Sequence, residues 1–406
     1  MMRFCAAATF VLVLLCAAPA RAASNCEPDG VQSSGSIYRI CMPDPGDYNG
    51  MLVLWSHGFQ DAGTPVSIPE DQLCIGGTFC LNEVINGLGF AFATNSYSKT
   101  GMAILQGKDD LLDLVNIYAA QKGAPQKVFL VGASEGGIIT ALSLEQHSDV
   151  YSAGVAACGP IGNFPLQINY FGDARATFEV FFPGLIPGNP FSPDPALVAV
   201  WTEYYDLVVK PIVLAPANRD RLNQWVKVAH LPFDANDYLN SVQVSVQDAL
   251  RYSVVNLTDA ATTLGGFPFD NTTRAYQGSA NDFLLNLLVP RAAAAPAAVA
   301  NMNTFYNTTG VLQRPLITLH TRLDQQVPFV HEQLYALKTI ASGAFLTRHL
   351  PIAIDRFEHC NFTPEEVLVS FAVMLLYDGA IPNVSGINTS LPREQIVTAL
   401  AAKLKR

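Results

Sequence analysis

Charged residues are scarce in this 406-residue sequence. Asp, Glu, Lys and Arg together make up 14% of it, whereas an ordinary soluble domain contains about 25%. Half of the residues are hydrophobic, so we expect a large core or an apolar cleft. The formal net charge is −10, and Lys and Arg form no long block. Because phosphate binding depends on clustered basic residues, nucleic acid is excluded as an expected partner.

Long hydrophobic runs are also few. The run at 367–380 is too short to span a bilayer and fits a buried helix. Residues 1–22 combine Arg3, a short apolar stretch and a small-residue cleavage site at Ala20-Arg21-Ala22, which predicts a secretory signal peptide rather than a membrane anchor. We therefore expect a secreted protein, extracellular or periplasmic, without stable membrane insertion after signal removal.

Cysteine spacing typical of a zinc site is absent, since the sequence has no C-x-x-C. No metal is therefore expected. Removal of the signal peptide leaves six cysteines, and an even number in a secreted chain favours disulfides. The candidate pairs are Cys26–Cys41 and Cys74–Cys80 by local spacing, and Cys158–Cys360 by elimination. The alternative for Cys158 is a small buried apolar residue.

Short apolar runs alternate with helical patterns along much of the sequence. Strands are predicted at 51–58, 89–97, 127–134, 151–158, 315–320 and 345–353, and helices at 100–122, 137–147, 330–341, 364–377 and 393–405. This alternation predicts an α/β fold with a mostly parallel sheet that is covered by helices on both faces. The length allows one large domain with an insertion, or two domains.

The alternation stops between 159 and 313. Helical stretches are predicted there at 195–213, 217–229, 235–252 and 281–288, and the Ala-rich run 291–302 fits a helix or a loop interrupted by Pro296. Because the strand pattern resumes at 315, we favour an insertion over a separate helical domain. The expected organisation is a signal peptide (1–22), a first core part (23–160), a helical lid or cap (161–312) and a second core part (313–406).

Residues 128–137, VFLVGASEGG, place a G-x-S-x-G pattern between a predicted strand and a predicted helix. A turn this tight lifts the serine out of the sheet and strains its backbone, so its neighbours Gly132 and Gly136 must be small. Ser134 is the candidate nucleophile, and the backbone N–H of Glu135 is a candidate oxyanion donor. The alternative is a tight glycine turn that carries an ordinary serine.

A serine hydroxyl needs a base, and the expected order along the chain is serine, acid, histidine. His359 lies in a loop after the last predicted strand and is the candidate base. Asp324 follows strand 315–320 and is the candidate acid, which would orient the imidazole and stabilise its cation. The alternative role for Asp324 is a helix cap.

The other polar residues after the serine have more modest interpretations. Asp355 and Glu358 are fallback acids that lie too close in sequence to His359 for the usual geometry. His320 ends a strand and is interpreted as a packed core residue. His331 and His349 are interpreted as surface positions of a helix and a strand.

A second oxyanion donor is expected in the loop that follows the first predicted strand. His57 and Gly58 come directly after this strand. Gly58 lets the backbone approach the serine, and the N–H of Phe59 is the candidate donor. His57 is expected to brace the loop through hydrogen bonds rather than to act as a base.

Four motifs in this order resemble the α/β-hydrolase superfamily: SHGF (56–59), GASEGG (132–137), DQQVP (324–328) and EHCNFT (358–363). The resemblance covers 50–160 and 312–380, with the insertion where such enzymes carry a lid. It implies an eight-stranded, mostly parallel sheet and hydrolysis by Ser, His and an acid without a cofactor.

The pair His359-Cys360 is similar to the fungal-type tannase and feruloyl esterase group. In that group a second cysteine directly precedes the nucleophile and bridges to the cysteine after the histidine. Ala133 occupies that position here, so the sequence departs from the pattern. Cys158, at the end of the neighbouring strand, is the partner that this resemblance leaves for Cys360.

The sequence therefore predicts a secreted serine hydrolase that cleaves a small-molecule or polymeric carboxylic ester. The insertion is rich in aromatic residues, which favour an apolar or aromatic acyl group or simply pack the insertion onto the core: Phe164, Tyr170, Phe171, Phe178, Phe181 and Phe182. A secreted serine exopeptidase of the same fold is the alternative. A non-catalytic binding protein on the hydrolase scaffold is less favoured, because no triad member is missing.

Overall fold

The computed structural model describes residues 25–380. The predicted signal peptide (1–22) and the predicted helix at 393–405 lie outside the described residues. No helix between residues 25 and 380 combines the length and the apolar character that crossing a bilayer requires.

Strands from both predicted core parts form one mixed sheet. Its strands are β1 (Asn25–Cys26), β2 (Gly30–Val31), β3 (Ile37–Met42), β4 (Met51–Ser56), β7 (Ala91–Asn95), β8 (Lys127–Ala133), β9 (Ala153–Ala157), β10 (Leu316–Leu323) and β11 (His349–Phe357). The strands β5 (Cys74–Ile75) and β6 (Phe79–Cys80) form a separate antiparallel pair. Eight strands lie side by side in the order β1-β3-β7-β4-β8-β9-β10-β11, and β2 pairs with β3 outside this order. In this spatial order, the neighbouring strands β7, β4, β8, β9, β10 and β11 are parallel to one another. In contrast, β1, β2 and β7 are antiparallel to β3. The predicted mostly parallel sheet is therefore confirmed, with an antiparallel edge.

Five helices cover the two faces of the sheet: α1 (Leu81–Gly87), α2 (Ile104–Lys122), α3 (Glu135–Gln146), α13 (Val330–Ser342) and α14 (Pro364–Asp378). A short turn of 3-10 helix, Glu70–Gln72, lies in the loop before β5. Leu52, Leu54 and Leu130 belong to the core beneath α2 and α3, whereas Val53 and Phe129 belong to the core beneath α1 and α14. Successive side chains of a strand point to opposite faces. A sheet that is buried on both faces therefore explains the continuous apolar runs of these strands.

The last strand is shifted from its predicted position. The sequence predicts it at 345–353, but β11 spans His349–Phe357. Helix α13 is followed by Gly343, whose backbone is left-handed with φ 76°. The N–H groups of residues 348 and 349 then donate to the carbonyl of Ala344. The apolar residues at 345 and 346 are therefore used in the turn that leads back to the sheet.

A helical segment, residues 164–306, lies between β9 and β10. Its helices are α4 (Phe164–Phe181), α5 (Pro195–Ala199), α6 (Trp201–Tyr204), α7 (Lys210–Val213), α8 (Arg219–Val228), α9 (Tyr238–Arg251), α10 (Leu257–Thr263), α11 (Asp282–Leu288) and α12 (Pro296–Asn301). Short 3-10 turns precede α8 and α9, at Pro216–Asn218 and Ala235–Asp237, and π-helical turns follow α6, α9 and α12, at Tyr205–Val209, Tyr252–Asn256 and Met302–Tyr306.

Helix α4 is not among the predicted helices, because its start is rich in proline and aromatic residues. The side chain of Asn163 accepts a hydrogen bond from the N–H of Leu166 at 3.0 Å and caps the helix. Pro165 lies in the first turn, where its missing N–H costs no helical hydrogen bond. The proline that obscures the helix in the sequence therefore fits its first turn.

Candidate active site

The turn between β8 and α3 is as tight as the sequence predicts. Ser134 has φ 58° and ψ −119°, a conformation that residues other than glycine rarely adopt. A Cβ at Gly132 would lie 2.2 Å from the carbonyl oxygen of Gly136, and a Cβ at Gly136 would lie 1.9 Å from that of Ser56. Neither position has room for a side chain. The backbone N–H of Ser134 donates to the carbonyl of Ala157 at 2.9 Å, which ties the turn to β9.

The structure brings Ser134, Asp324 and His359 together from three distant parts of the chain. Nε2 of His359 lies 2.8 Å from Oγ of Ser134, and Nδ1 lies 2.7 Å from Oδ2 of Asp324. The imidazole therefore connects the hydroxyl to a carboxylate through two hydrogen bonds. The fallback acid Asp355 does not take this place, since its side chain is 92% exposed.

The carboxylate of Asp324 is fully buried and uses both of its oxygens. Oδ1 accepts hydrogen bonds from the N–H groups of Gln326 and Val327 at 2.9 and 2.8 Å. Burial alone would raise the pKa of Asp324, but the charge of His359 and hydrogen bonds from His320 and His359 hold that pKa well below its usual range. Asp324 is thus an ionised group that both caps the turn and orients His359.

His320 is buried as predicted, but it contacts two carboxylates as well as apolar neighbours. Its Nε2 lies 3.3 Å from Oδ2 of Asp324 and 2.8 Å from the carbonyl oxygen of Val327, and its Nδ1 lies 3.4 Å from Oε1 of Glu332. Burial lowers the pKa of His320, but the two carboxylates outweigh this effect and raise it to about 10. The two carboxylates therefore favour the charged form of the His320 imidazole behind the candidate acid, an arrangement that the sequence analysis did not predict.

The predicted surface positions of His331 and His349 are wrong, because both side chains are fully buried. Nδ1 of His331 accepts hydrogen bonds from the N–H groups of Gly162 and Asn163 at 3.2 and 3.3 Å, just before α4. His349 contacts the hydroxyls of two threonines of β10 and α13 at 3.0 and 2.8 Å. Polar partners inside the core make the burial of these imidazoles possible.

Buried neutral histidines predict a loss of stability in acid. Burial lowers the pKa of His57 and His349 to about 4 and that of His331 to about 3. Below about pH 6.5 the unfolded chain binds protons that the folded chain does not, so the free energy of unfolding falls by up to about 1.4 kcal/mol per pH unit for each histidine. Burial raises the pKa of Glu135 to about 8. Above about pH 4.5 the folded chain therefore holds one proton on this group that the unfolded chain has lost, which opposes the effect of the histidines.

We therefore expect the free energy of unfolding, measured by urea denaturation, to decrease from pH 6.5 to pH 4.5. His331→Asn should lower the number of protons that the protein takes up on unfolding by about one. His230→Asn, at an exposed position, is the matched control. An unchanged slope in folded His331→Asn would contradict the neutral, buried state of this histidine.

The buried side chain of His57 holds the loop that follows β4. Its ring is 1% exposed and stacks on Tyr97 at a centroid distance of 3.8 Å, and its Nδ1 lies 2.7 Å from the carbonyl oxygen of Gly58. The hydroxyl of Tyr97 donates to the carbonyl of His57 at 2.8 Å. These contacts are those of a bracing residue, and they place the imidazole of His57 away from solvent.

Gln72 fixes the two residues that follow His57. Its Oε1 accepts from the N–H of Gly58 at 2.6 Å, and its Nε2 donates to the carbonyl of Phe59 at 3.4 Å. A Cβ at Gly58 would lie 3.2 Å from Cβ of Ser134, which is a tight contact. The N–H of Gly58 therefore already donates to Gln72. This leaves the N–H of Phe59 as the candidate oxyanion donor of this loop. No motif marks Gln72 in the sequence.

The side chain of Glu135 has a structural role that the sequence did not reveal. It is buried, and its Oε1 accepts a hydrogen bond from the N–H of Ala103 at 2.7 Å, directly before α2. This bond ties α2 to the start of α3, the helix that follows Ser134. The backbone N–H of the same residue is the other candidate oxyanion donor.

The structure contains the three expected disulfides, Cys26–Cys41, Cys74–Cys80 and Cys158–Cys360. Cys158 directly follows β9 and Cys360 directly follows His359, so the third bridge anchors the histidine loop to the sheet. The sulfur of Cys360 lies 3.4 Å from Nε2 of His359. Because both sulfurs are used by the bridge, this cluster offers no thiolate to a metal ion.

Two cavities meet at Ser134. The larger has a volume of about 430 Å³ and lies on the side of α1 and α14, and the smaller has a volume of about 90 Å³ and lies beneath the helical segment. Both are lined by Phe59, Ser134, Tyr252 and Gln326. Ser134 is therefore accessible from two sides, through cavities of different size.

The aromatic residues of the helical segment divide into two groups. Phe164 and Phe171 line the smaller cavity. Phe178 is fully buried, stacks on Phe182 and contacts the ring edge of Trp225 at a centroid distance of 4.9 Å. The aromatic content of this segment therefore serves internal packing as well as the cavity.

Neither a family model nor a curated protein sequence matches this chain. Among solved structures, the Pyrococcus horikoshii acylaminoacyl peptidase is similar at a TM-score of 0.44 and 9% identity, over 92% of this chain and 44% of the peptidase. The Pyrococcus furiosus esterase Pf2001 has a TM-score of 0.43 and 10% identity over 87% of this chain and 90% of the esterase. Est1E from Butyrivibrio proteoclasticus has a TM-score of 0.39 and 12% identity over 88% of this chain and 100% of its own.

The chain spans less than half the length of the peptidase that it matches. Because these TM-scores lie below 0.5, the fold rests on the sheet itself rather than on these likenesses. A mostly parallel sheet covered on both faces carries a serine on a sharp turn between β8 and α3, and a helical segment separates β9 from β10. These features together define the α/β-hydrolase fold, and this chain has it.

Proposed function

We propose that this protein is a secreted serine hydrolase that cleaves carboxylic esters through Ser134, His359 and Asp324. The observation that carries the proposal is the chain of two hydrogen bonds, 2.8 and 2.7 Å long, that joins these side chains at a strained serine. A serine hydroxyl becomes a useful nucleophile when a base that is oriented by a third group lies within hydrogen-bond reach. The three disulfides favour an oxidising, extracytoplasmic compartment.

In this mechanism Oγ of Ser134 attacks the ester carbonyl while Nε2 of His359 takes the hydroxyl proton. The imidazolium gives this proton to the leaving alcohol, and the acyl group stays on the serine. Water then attacks the acyl-enzyme, His359 again moves the proton, and the free acid leaves. Asp324 keeps the imidazole oriented and stabilises its cation in both steps.

The amides of Phe59 and Glu135 are proposed to stabilise the oxyanion of each tetrahedral intermediate. The loss of one such donor elsewhere costs about 10²–10³ in kcat. Gln72 supports the first donor through Gly58, and Gly132 and Gly136 permit the turn that presents the second. No cofactor takes part in these steps.

The helical segment is proposed to act as a lid, corresponding to the expected lid or cap at 161–312. It covers Ser134 through Tyr252 and Phe171, whose rings stack at 5.0 Å. An ester fits the site better than a peptide does, because the walls of both cavities are formed mainly by apolar side chains. Substrate recognition in such a site rests on apolar contact more than on charge.

A fluorophosphonate probe tests the proposed function directly. We expect the probe to label the purified, disulfide-intact protein at Ser134, as located by peptide mapping, and to leave Ser134→Ala unlabelled. p-Nitrophenyl acetate should be hydrolysed faster than aminoacyl p-nitroanilides. Labelling at another residue, or none in the folded protein, would refute the nucleophile and favour a binding protein, whereas faster cleavage of the anilides would replace the esterase by an exopeptidase.

A further inference from the structure

The larger cavity lies inside the core, between one face of the sheet and the helices α1 and α14. Its floor is formed by alternate residues of neighbouring strands, and its roof by the two helices. The lining residues include Val53, Phe92 and Val155 of the sheet, Val84 and Ile85 of α1, and Phe371 of α14. A cavity in this position takes room that core side chains fill in a closely packed protein.

The strand register gives the depth of this cavity. Val53 pairs with Phe129 across β4 and β8 and with Phe92 across β4 and β7. Phe129 precedes Ser134 by five residues, and a parallel strand rises about 3.3 Å per residue. The cavity therefore extends roughly 16 Å from Ser134 into the domain, along the direction of the strands.

Its shape and polarity fit an unbranched apolar chain. A liquid water molecule takes up about 30 Å³, so 430 Å³ holds roughly 14 non-hydrogen atoms. Over the depth of the cavity this volume allows a single chain rather than a row of rings. The lining side chains that carry a carboxyl group or an imidazole are Asp71 and His359. Asp71 adjoins Gln72, which contacts the loop beside Ser134. The deep part of the cavity is apolar.

The smaller cavity imposes a different limit on the other side of Ser134. Its volume of about 90 Å³ corresponds to roughly three non-hydrogen atoms on the same scale. Its walls come from α3, α4 and α10, including Ile138, Phe171 and Leu257. The two cavities are thus strongly unequal, although they share the same nucleophile.

We propose that the substrates are unsymmetrical esters, with one linear apolar arm of about a dozen carbons in the larger cavity and one short arm in the smaller cavity. This inference rests on the proposed function and names its substrate class. Each methylene that enters the larger cavity is expected to improve kcat/KM by up to about fourfold. The benefit should end when the chain reaches the bottom, near Val53 and Phe92.

Three isomeric esters separate this proposal from a general preference for apolar substrates. Dodecyl acetate, ethyl dodecanoate and hexyl octanoate have the same composition but divide their carbons differently between the two arms. We expect one of the first two to exceed hexyl octanoate by at least about tenfold in kcat/KM, measured by pH-stat titration of equal dispersions. The preferred isomer identifies the long arm as the alcohol or the acyl group. Equal or faster hydrolysis of hexyl octanoate would overturn the proposal.

Variants that fill the cavity provide the second test. Val84→Trp on α1 and Val155→Phe on β9 should each lower kcat/KM for the preferred long ester by about tenfold or more. Hydrolysis of p-nitrophenyl acetate, which is much shorter than the long ester, should be lowered less than hydrolysis of the long ester in both variants. Val311→Trp, at a half-exposed position outside both cavities, is the matched control.

Thermal unfolding identifies the variants that remain folded, and two variants are used so that a misfolded one does not decide the result. Unchanged hydrolysis of the long ester in a folded variant would overturn the proposal. Failure of the proposed function is distinguishable, because the unsubstituted protein would then either not hydrolyse p-nitrophenyl acetate or cleave aminoacyl p-nitroanilides faster than this ester. Hydrolysis of the acetate without any dependence on chain length would refute the inference alone.

Discussion

Replacement of Ser134 by alanine is expected to lower kcat for p-nitrophenyl acetate by about 10⁴- to 10⁶-fold. The substitution removes the oxygen that forms the acyl-enzyme and leaves His359 without the hydroxyl that lies 2.8 Å from its Nε2. Alanine adds no atoms to the crowded turn, so the melting temperature should change little. Initial rates and thermal unfolding of the same purified sample provide the measurement.

Ser148→Ala is the matched control for this loss, because Ser148 follows α3 and lies outside the candidate site. The double variant Ser134→Ala, His359→Ala should be no slower than Ser134→Ala alone, since residues that act as one unit lose their effect together. Activity that survives in folded Ser134→Ala would contradict the proposed nucleophile. Additive losses in the double variant would contradict a joint role of the two residues.

The sequence predicted most of the candidate site because its chemistry is encoded in short local patterns. Gly132 and Gly136 are required by atoms of their own turn and of Ser56 in the neighbouring strand, so the motif carries most of the geometry. Asp324 and His359 follow strand ends, and the carboxyl ends of parallel strands meet at one edge of the sheet. The positions of Asp324 and His359 after successive strands were therefore enough to predict that these side chains meet.

The features that the sequence did not reveal depend on contacts between distant elements. Glu332 of α13 meets His320 of β10 only because that helix packs at a particular register against the sheet. His331 looks like a surface residue until the chain before α4 supplies two N–H donors. Gln72 contacts Gly58 across a loop that has no regular pattern. Hydrophobic periodicity indicates which face of an element is buried, but it does not indicate which polar group from a distant element contacts that face.

Disruption of the Cys158–Cys360 bridge is expected to cause the second large loss, in both activity and stability. The bridge holds the loop in which Glu358 and Cys360 have positive φ values of 86° and 51°. Such conformations cost about 1–3 kcal/mol each in residues other than glycine and persist only where the surroundings enforce them. Without the bridge the loop should relax and carry His359 away from Ser134.

A displacement of about 1 Å at a reacting group can lower the rate by about 10²-fold, so we expect at least this loss of kcat in Cys158→Ala, Cys360→Ala. The bridge also closes a loop with a sequence separation of 202 residues. In the chain-entropy treatment a loop of this length stabilises the folded state by about 5 kcal/mol. Urea denaturation should show this decrease, and a reductant should inactivate the unsubstituted protein.

The Cys26–Cys41 bridge offers the matched control, because it joins β1 to β3 at the antiparallel edge of the sheet. It spans only 15 residues, so Cys26→Ala, Cys41→Ala should lose about 3 kcal/mol of stability and keep its kcat in conditions where it is folded. Equal kcat losses in the two double variants would mean that general loosening, rather than the position of His359, sets the rate. A folded Cys158→Ala, Cys360→Ala variant with full kcat would show that the histidine loop holds its position without the bridge.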